Sequence, residues 1–114
     1  MINLLTAPSA DDFATTFTPQ AEYRNANNTG PVQRVYVVTV SQENYEEMLA
    51  YGGLRPHTKY GTTTVYFFPE EGLYPTEVSP EKPHFPPSYR PACLAVYCKL
   101  GQGQERFEKA PISW

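Results

Sequence analysis

Cys93, Cys98, His57 and His84 are the cysteines and histidines of this 114-residue chain, the side chains best suited to nucleophilic or metal chemistry. Cysteine–histidine catalysis needs a thiol beside an imidazole. Both thiols fall in the run ACLAVYCKL (92–100), which reads as a strand, and a thiol in a buried strand is inert packing. Five apart on a strand, they are expected to point to opposite faces, and so to be free rather than disulfide-bonded. The cysteines and histidines show no metal-ligand spacing, so no metal is expected. The acid pairs Glu46-Glu47 and Glu70-Glu71 read as solvated faces. The chain has no GxSxG, phosphate loop, GxGxxG or HExxH.

Charge narrows the partners. Nine basic and twelve acidic residues give a net charge of −3 and a pI near 5.3. Broad binding to a phosphate backbone needs a basic face, so a nucleic-acid partner is not expected. No run approaches the roughly 18 apolar residues of a membrane span. The start, MINLLTAPSADDF, lacks a basic segment and a long apolar segment, so the expectation is a cytoplasmic protein with no membrane contact. The length suits one domain, whose core must be rich in the rings of nine Tyr and six Phe.

The elements that position these residues follow from periodicity. Residues 34–40 and 62–68 are dense in β-branched and aromatic residues and read as strands. Between them Ser41 is placed to cap a helix over 42–51, with Tyr45, Met48 and Leu49 on its apolar face. Gly52-Gly53 is expected to stop the helix through a left-handed residue. Residues 69–91 hold seven of the twelve prolines and read as an irregular loop, with Tyr74, Phe85 and Tyr89 pinning it down. Its overlapping PxxP patterns, 80–83 and 83–86, read as rigid loop before docking motif. Residues 92–100 make a third strand, and the stretch from Glu105 to Trp114 an edge strand or a docked tail. In the first 31 residues, an arm or tail, Ser9 opens a short helix that Thr18-Pro19 ends, and Asn27 heads a glycosylation pattern. The fold expected is a small single α+β domain: a twisted, mainly antiparallel sheet, one principal helix and a long Pro-rich loop.

An aromatic strand, a helix ENYEEML, a turn GGLRP and a strand TTVYFF followed by PEEG resemble ADP-ribosyltransferase-like domains, the layout of RNA 2′-phosphotransferases and of DNA-modifying relatives. The strand ACLAVYCKL is similar to the family element that precedes a catalytic glutamate. The resemblance covers about residues 34–108. It implies NAD as cofactor. It assigns Arg34 to the ribose on the nicotinamide side, Tyr66 to stacking the nicotinamide, and Glu105 to the positive charge that develops as nicotinamide leaves. Val37 and Val38 stand where the family has a Tyr-His pair, and His57 is the substitute histidine within reach of such a pocket.

Two functions follow from this reading. The first is an ADP-ribosyltransferase-like domain that binds NAD or a nucleotide, with or without transfer. The second is a small non-catalytic protein-binding module or inhibitor, of the kind that phages and mobile elements direct at host factors. Tyrosine gives a rigid, amphipathic contact surface, and Tyr60, Tyr74 and Tyr89 in the two loops are the candidates for a protein partner.

Overall fold

The β-branched and aromatic runs form one five-stranded sheet in the computed structural model, which describes residues 16–24, 32–79, 81 and 83–114. The strands β1 (Phe17–Arg24), β2 (Gln33–Val40), β3 (Gly61–Pro69), β4 (Ala95–Gly101) and β5 (Gln104–Lys109) lie side by side in chain order. The helix α1 (Tyr45–Gly53) carries the chain back from the end of β2, so β2 and β3 run parallel; the other neighbouring pairs are antiparallel. The α+β architecture is as expected, with one small domain built on one sheet.

Several local readings need correction. Thr18-Pro19 lies inside edge strand β1 and does not end a helix. Proline is tolerated there because an edge strand has a side without ladder bonds, and the register shifts between Pro19 and Ala21. The segment from Ser9 and the Asn27 pattern lie outside the described residues. Asn44, not Ser41, caps α1: its backbone is extended and its side chain accepts the Glu47 N–H at 3.1 Å. The buried stripe is correspondingly rotated to Met48, Tyr51 and Gly52, while Leu49 is 42% exposed.

Neither Gly52 nor Gly53 has a positive φ; the helix closes on Leu54 in ordinary right-handed conformation. Gly52 is needed for another reason. A Cβ on it would fall on the ring of Tyr97, so a side chain there would push α1 off β4. Left-handed glycines stand instead after β3, at Gly72, and in the β4–β5 turn, Gly101 at φ 50° and Gly103 at φ 112°, where a tight reversal needs them.

Strand alternation divides the core between two faces. Val38, Met48, Tyr51, Val65, Phe67 and Tyr97 pack under the helix. Val35, Val37, Tyr66, Phe68, Phe85 and Cys93 pack under the Pro-rich loop. A fully buried ring or thioether such as Phe67 or Met48 stabilises the fold by roughly 1.5–3 kcal/mol. Residues 83–86, the second PxxP pattern, are part of this second layer. His84 and Phe85 are buried, and the loop closes on itself where Ser79 N–H donates to the His84 carbonyl at 2.7 Å and His84 Nδ1–H donates to the Ser79 carbonyl at 2.9 Å.

Candidate functional site

The sheet register separates the residues that the family resemblance would bring together. Arg34, Thr63, Lys99 and Glu105 are successive partners across β2 to β5 and share the helix face. Tyr66 belongs to the row Val37, Tyr66, Val96 and Glu108, on the opposite face. Arg34 and Glu105 stand three strands apart, roughly 14 Å at about 4.8 Å per strand. No single cleft holds all three.

Each has a local partner instead. Arg34 Nη1 donates to Thr58 Oγ1 at 2.7 Å, tying the loop after α1 to β2. Glu105 Oε2 accepts the Tyr97 hydroxyl at 2.5 Å. Burial raises the Tyr97 phenol, with the hydrogen bond to Glu105 adding to it, so Tyr97 keeps its proton. His57 has both ring nitrogens engaged, Nδ1 with Thr63 Oγ1 at 3.0 Å and Nε2 with the Gly101 carbonyl at 2.9 Å. It latches the post-helix loop to the starts and ends of two strands. Of the candidate partner tyrosines, Tyr60 is 58% exposed, whereas Tyr74 and Tyr89 are half-buried against the loop-face core.

The loop face carries a cleft of about 510 Å³ over β3, β4 and β5. This lies within the usual range for small-molecule sites. Its floor consists of two adjacent rows of the sheet: Tyr66, Val96 and Glu108, then Thr64, Cys98 and Arg106. The walls come from three non-strand segments. His84 and Phe85 belong to the Pro-rich loop, Arg90 to a 3₁₀ turn (Pro87–Ala92), and Ile112, Ser113 and Trp114 to the segment after β5.

The chemistry of the cleft is aromatic and cationic. Phe85 meets the Tyr66 ring edge-on at 4.9 Å, and the Trp114 ring lies near-parallel to Tyr66 at 6.0 Å. The Arg90 guanidinium sits 5.3 Å from the Trp114 ring centre. Its Nε is buried without a hydrogen-bond partner. Among the described residues neither Arg90 nor Arg106 has an ion-pair partner. The one carboxylate in the lining, Glu108, accepts the Ser113 N–H at 2.7 Å. Burial pushes the Tyr66 phenol up to about 12, so it offers a neutral ring and hydroxyl. The hydrogen bond from His84 Nδ1 to a carbonyl leaves Nε2 of the neutral ring as an acceptor.

The two thiols are free, but not on opposite faces. β4 begins at Ala95, so Cys93 precedes the strand and escapes its alternation; it packs in the loop-face core, and Cys98 also faces the cleft. Burial raises the Cys93 thiol to about 12, which makes it inert. Cys98 lies 3.6 Å from Thr64 Oγ1.

Sequence reasoning passed over Arg90, Arg106, His84 and Trp114 as parts of one site. Arg106 was within reach: the turn GQG fixes the β4–β5 register and sets Arg106 opposite Cys98. Arg90 was not, because an irregular loop has no period that places it. Compared with family models, with curated proteins and with solved structures, the chain matches none. The ADP-ribosyltransferase-like resemblance rests on the short motifs alone.

Proposed function

We propose that the chain is a binding module without transferase activity, and that it takes a nucleotide or a similar aromatic anion in the loop-face cleft. The observation that carries this reading is a pair of arginines, Arg90 and Arg106, with no ion pair among the described residues, set beside the rings of Tyr66 and Phe85. Guanidinium groups recognise phosphate through paired N–H donors, and aromatic side chains stack a base. The net charge of −3 does not oppose this, since the cleft is locally cationic. Transfer of ADP-ribose needs a carboxylate at the reacting ribose in the same cleft as the nicotinamide ring. Glu105 is on the other face of the sheet from Tyr66 and is occupied by Tyr97. NAD therefore belongs among the ligands to be titrated, as a nucleotide rather than as a donor of ADP-ribose.

Calorimetric titration with ADP, AMP and NAD tests the proposal. Saturable binding that weakens at least about tenfold in Arg106→Ala, the loss of one charge-assisted contact, is the expected result. It should be indifferent to Arg34→Ala and Glu105→Gln. Absence of binding by all three ligands, or transfer of labelled ADP-ribose that depends on Glu105, would overturn it.

A second reading, a protein-binding or inhibitory surface, is favoured at one point. Tyr60 is 58% exposed and held at φ 68°, a conformation that costs a non-glycine residue free energy. With Tyr74 and Tyr89 turned toward the core, Tyr60 is the one of the three that a partner can bury. Capture of a specific protein that Tyr60→Ala abolishes would support this reading; capture that is indifferent to Tyr60→Ala would remove it.

A further inference from the structure

We infer that residues 111–114 form a strap that competes with the ligand for the loop-face cleft, the Trp114 indole standing where a ligand's fused aromatic ring stacks. The inference rests on the reading of that cleft as a nucleotide site and adds to it a ring size and a gate.

The indole makes the contacts that a bound base would make. It lies at 16° to the Tyr66 ring, meets Phe85 edge-on at 5.9 Å, and has the Arg90 guanidinium 5.3 Å from its centre. A flat ring on a phenol, with a cation against it, is an arrangement of stacking and cation–π attraction that does not depend on which ring supplies it. The slot is filled by a two-ring system, so the matching ligand is a purine rather than a pyrimidine.

Ile112 packs against the loop-face core and the indole makes the ring contacts above, but few hydrogen bonds hold the strap. The last backbone bond tying this stretch to the sheet is Ala110 N–H to the Leu94 carbonyl at 2.9 Å, so a hinge falls just after Ala110. Beyond it, Ser113 N–H donates to Glu108 in an exposed hydrogen bond, and Trp114 remains 48% exposed. Exposed hydrogen bonds of this kind contribute little, because water replaces either partner.

The closed arrangement also leaves one group unsatisfied. Arg90 meets the indole only through the ring, and its Nε is buried without a partner. A buried donor without an acceptor is unfavourable. An anion in the cleft gives the guanidinium the acceptor it lacks, while the indole cannot. Displacing the strap further frees the Glu108 carboxylate, which shares its sheet row with Tyr66, to accept a sugar hydroxyl.

Trp114 is the chain's one tryptophan, so its fluorescence reports on the strap directly. The test uses ADP and CDP as probes against the wild-type chain and Trp114→Ala, with calorimetry for affinity and circular dichroism to show that the variant is folded. On saturation with ADP the wild-type emission should move to the red as the indole enters water. Trp114→Ala should bind ADP on the order of tenfold more tightly, because no closed population has to be opened first. ADP should bind several-fold more tightly than CDP. Equal or weaker binding by Trp114→Ala overturns the gate, as does an emission that stays in place at saturation. Equal affinity for ADP and CDP overturns the fused-ring assignment. If neither protein takes up either nucleotide, the reading of the cleft itself has failed, and the strap fails with it.

Discussion

The two faces of the sheet use similar residues to opposite ends. On the helix face Arg34 is bonded to Thr58 and Glu105 to Tyr97, and α1 approaches β4 so closely that Gly52 has no room for a side chain. On the loop face the strands present an open floor, and two arginines around it have no ion pair among the described residues. One face is thus closed by a regular element with matched packing, the other by irregular segments that leave space. The difference teaches that in a chain this small open space is left where the cover is irregular, since a loop tolerates gaps that a packed helix does not.

The comparison is broken most severely at Gly52. Gly52→Val should destabilise the protein by about 3 kcal/mol or more in urea unfolding, since the added methyl groups meet the Tyr97 ring. Gly53→Ala, where a Cβ lies 3.4 Å from Glu105 Oε2, should change stability by less than about 1 kcal/mol. Equal effects at the two glycines would show that the helix is not seated on β4 as described.

Phe85→Ala is the corresponding break on the other face. Phe85 touches Tyr66, Phe68, Tyr89 and Trp114. Its loss should cost about 3 kcal/mol and raise amide exchange in residues 74–90, while exchange in α1 stays unchanged. Faster exchange throughout both layers would mean that the faces are not separate.

Alkaline pH probes the loop face again. Burial lifts the Cys93 thiol from its ordinary 9.0 to about 12 and the Tyr66 phenol from 10.0 to about 12. Both are raised, so the unfolded chain loses these protons first. Stability is therefore full below about pH 9 and is lost as pH rises towards about 12, by up to about 1.4 kcal/mol per pH unit for each group. Cys93→Ala should move the onset of this loss upward by about one pH unit, to the range of the buried phenols, Tyr66 on this face and Tyr36, Tyr51 and Tyr97 on the other. An onset indifferent to Cys93 would contradict its burial.

A smaller loss than at Gly52 or Phe85 is expected at Tyr97→Phe. It removes the hydroxyl that Glu105 accepts but leaves an exposed carboxylate that water can solvate, so a loss of about 1 kcal/mol is expected.

Much of the fold was legible in the sequence, and less of the site. RVYVVTV and TTTVYFF announce buried strands because β-branched and aromatic residues fill a pleated surface on both sides. The same feature conceals function: with both faces apolar, alternation alone does not say which face holds Tyr66 and which holds Arg34. Only the register, set by the strand neighbours, does that. Edge strand β1 was hidden by Thr18-Pro19, because a proline that marks a helix stop is also tolerated at a bulged edge. Asn44 and Ser41 are both able caps, and the choice between them falls to the packing of Met48 and Tyr51 against the sheet. Arg90 and Trp114 come from segments without period, and their meeting is a tertiary fact.

The central claim is that ligand binds on the loop face and that the helix face is structural. The most direct measurement is a two-dimensional NMR titration with ADP, following backbone amides on both faces. The account predicts saturable shifts at Tyr66, Arg90, Cys98 and Arg106 and at Trp114, with Arg34, Gly52 and Thr58 unmoved. Shifts centred on Arg34 and Thr58, with the loop-face cleft unchanged, would contradict it.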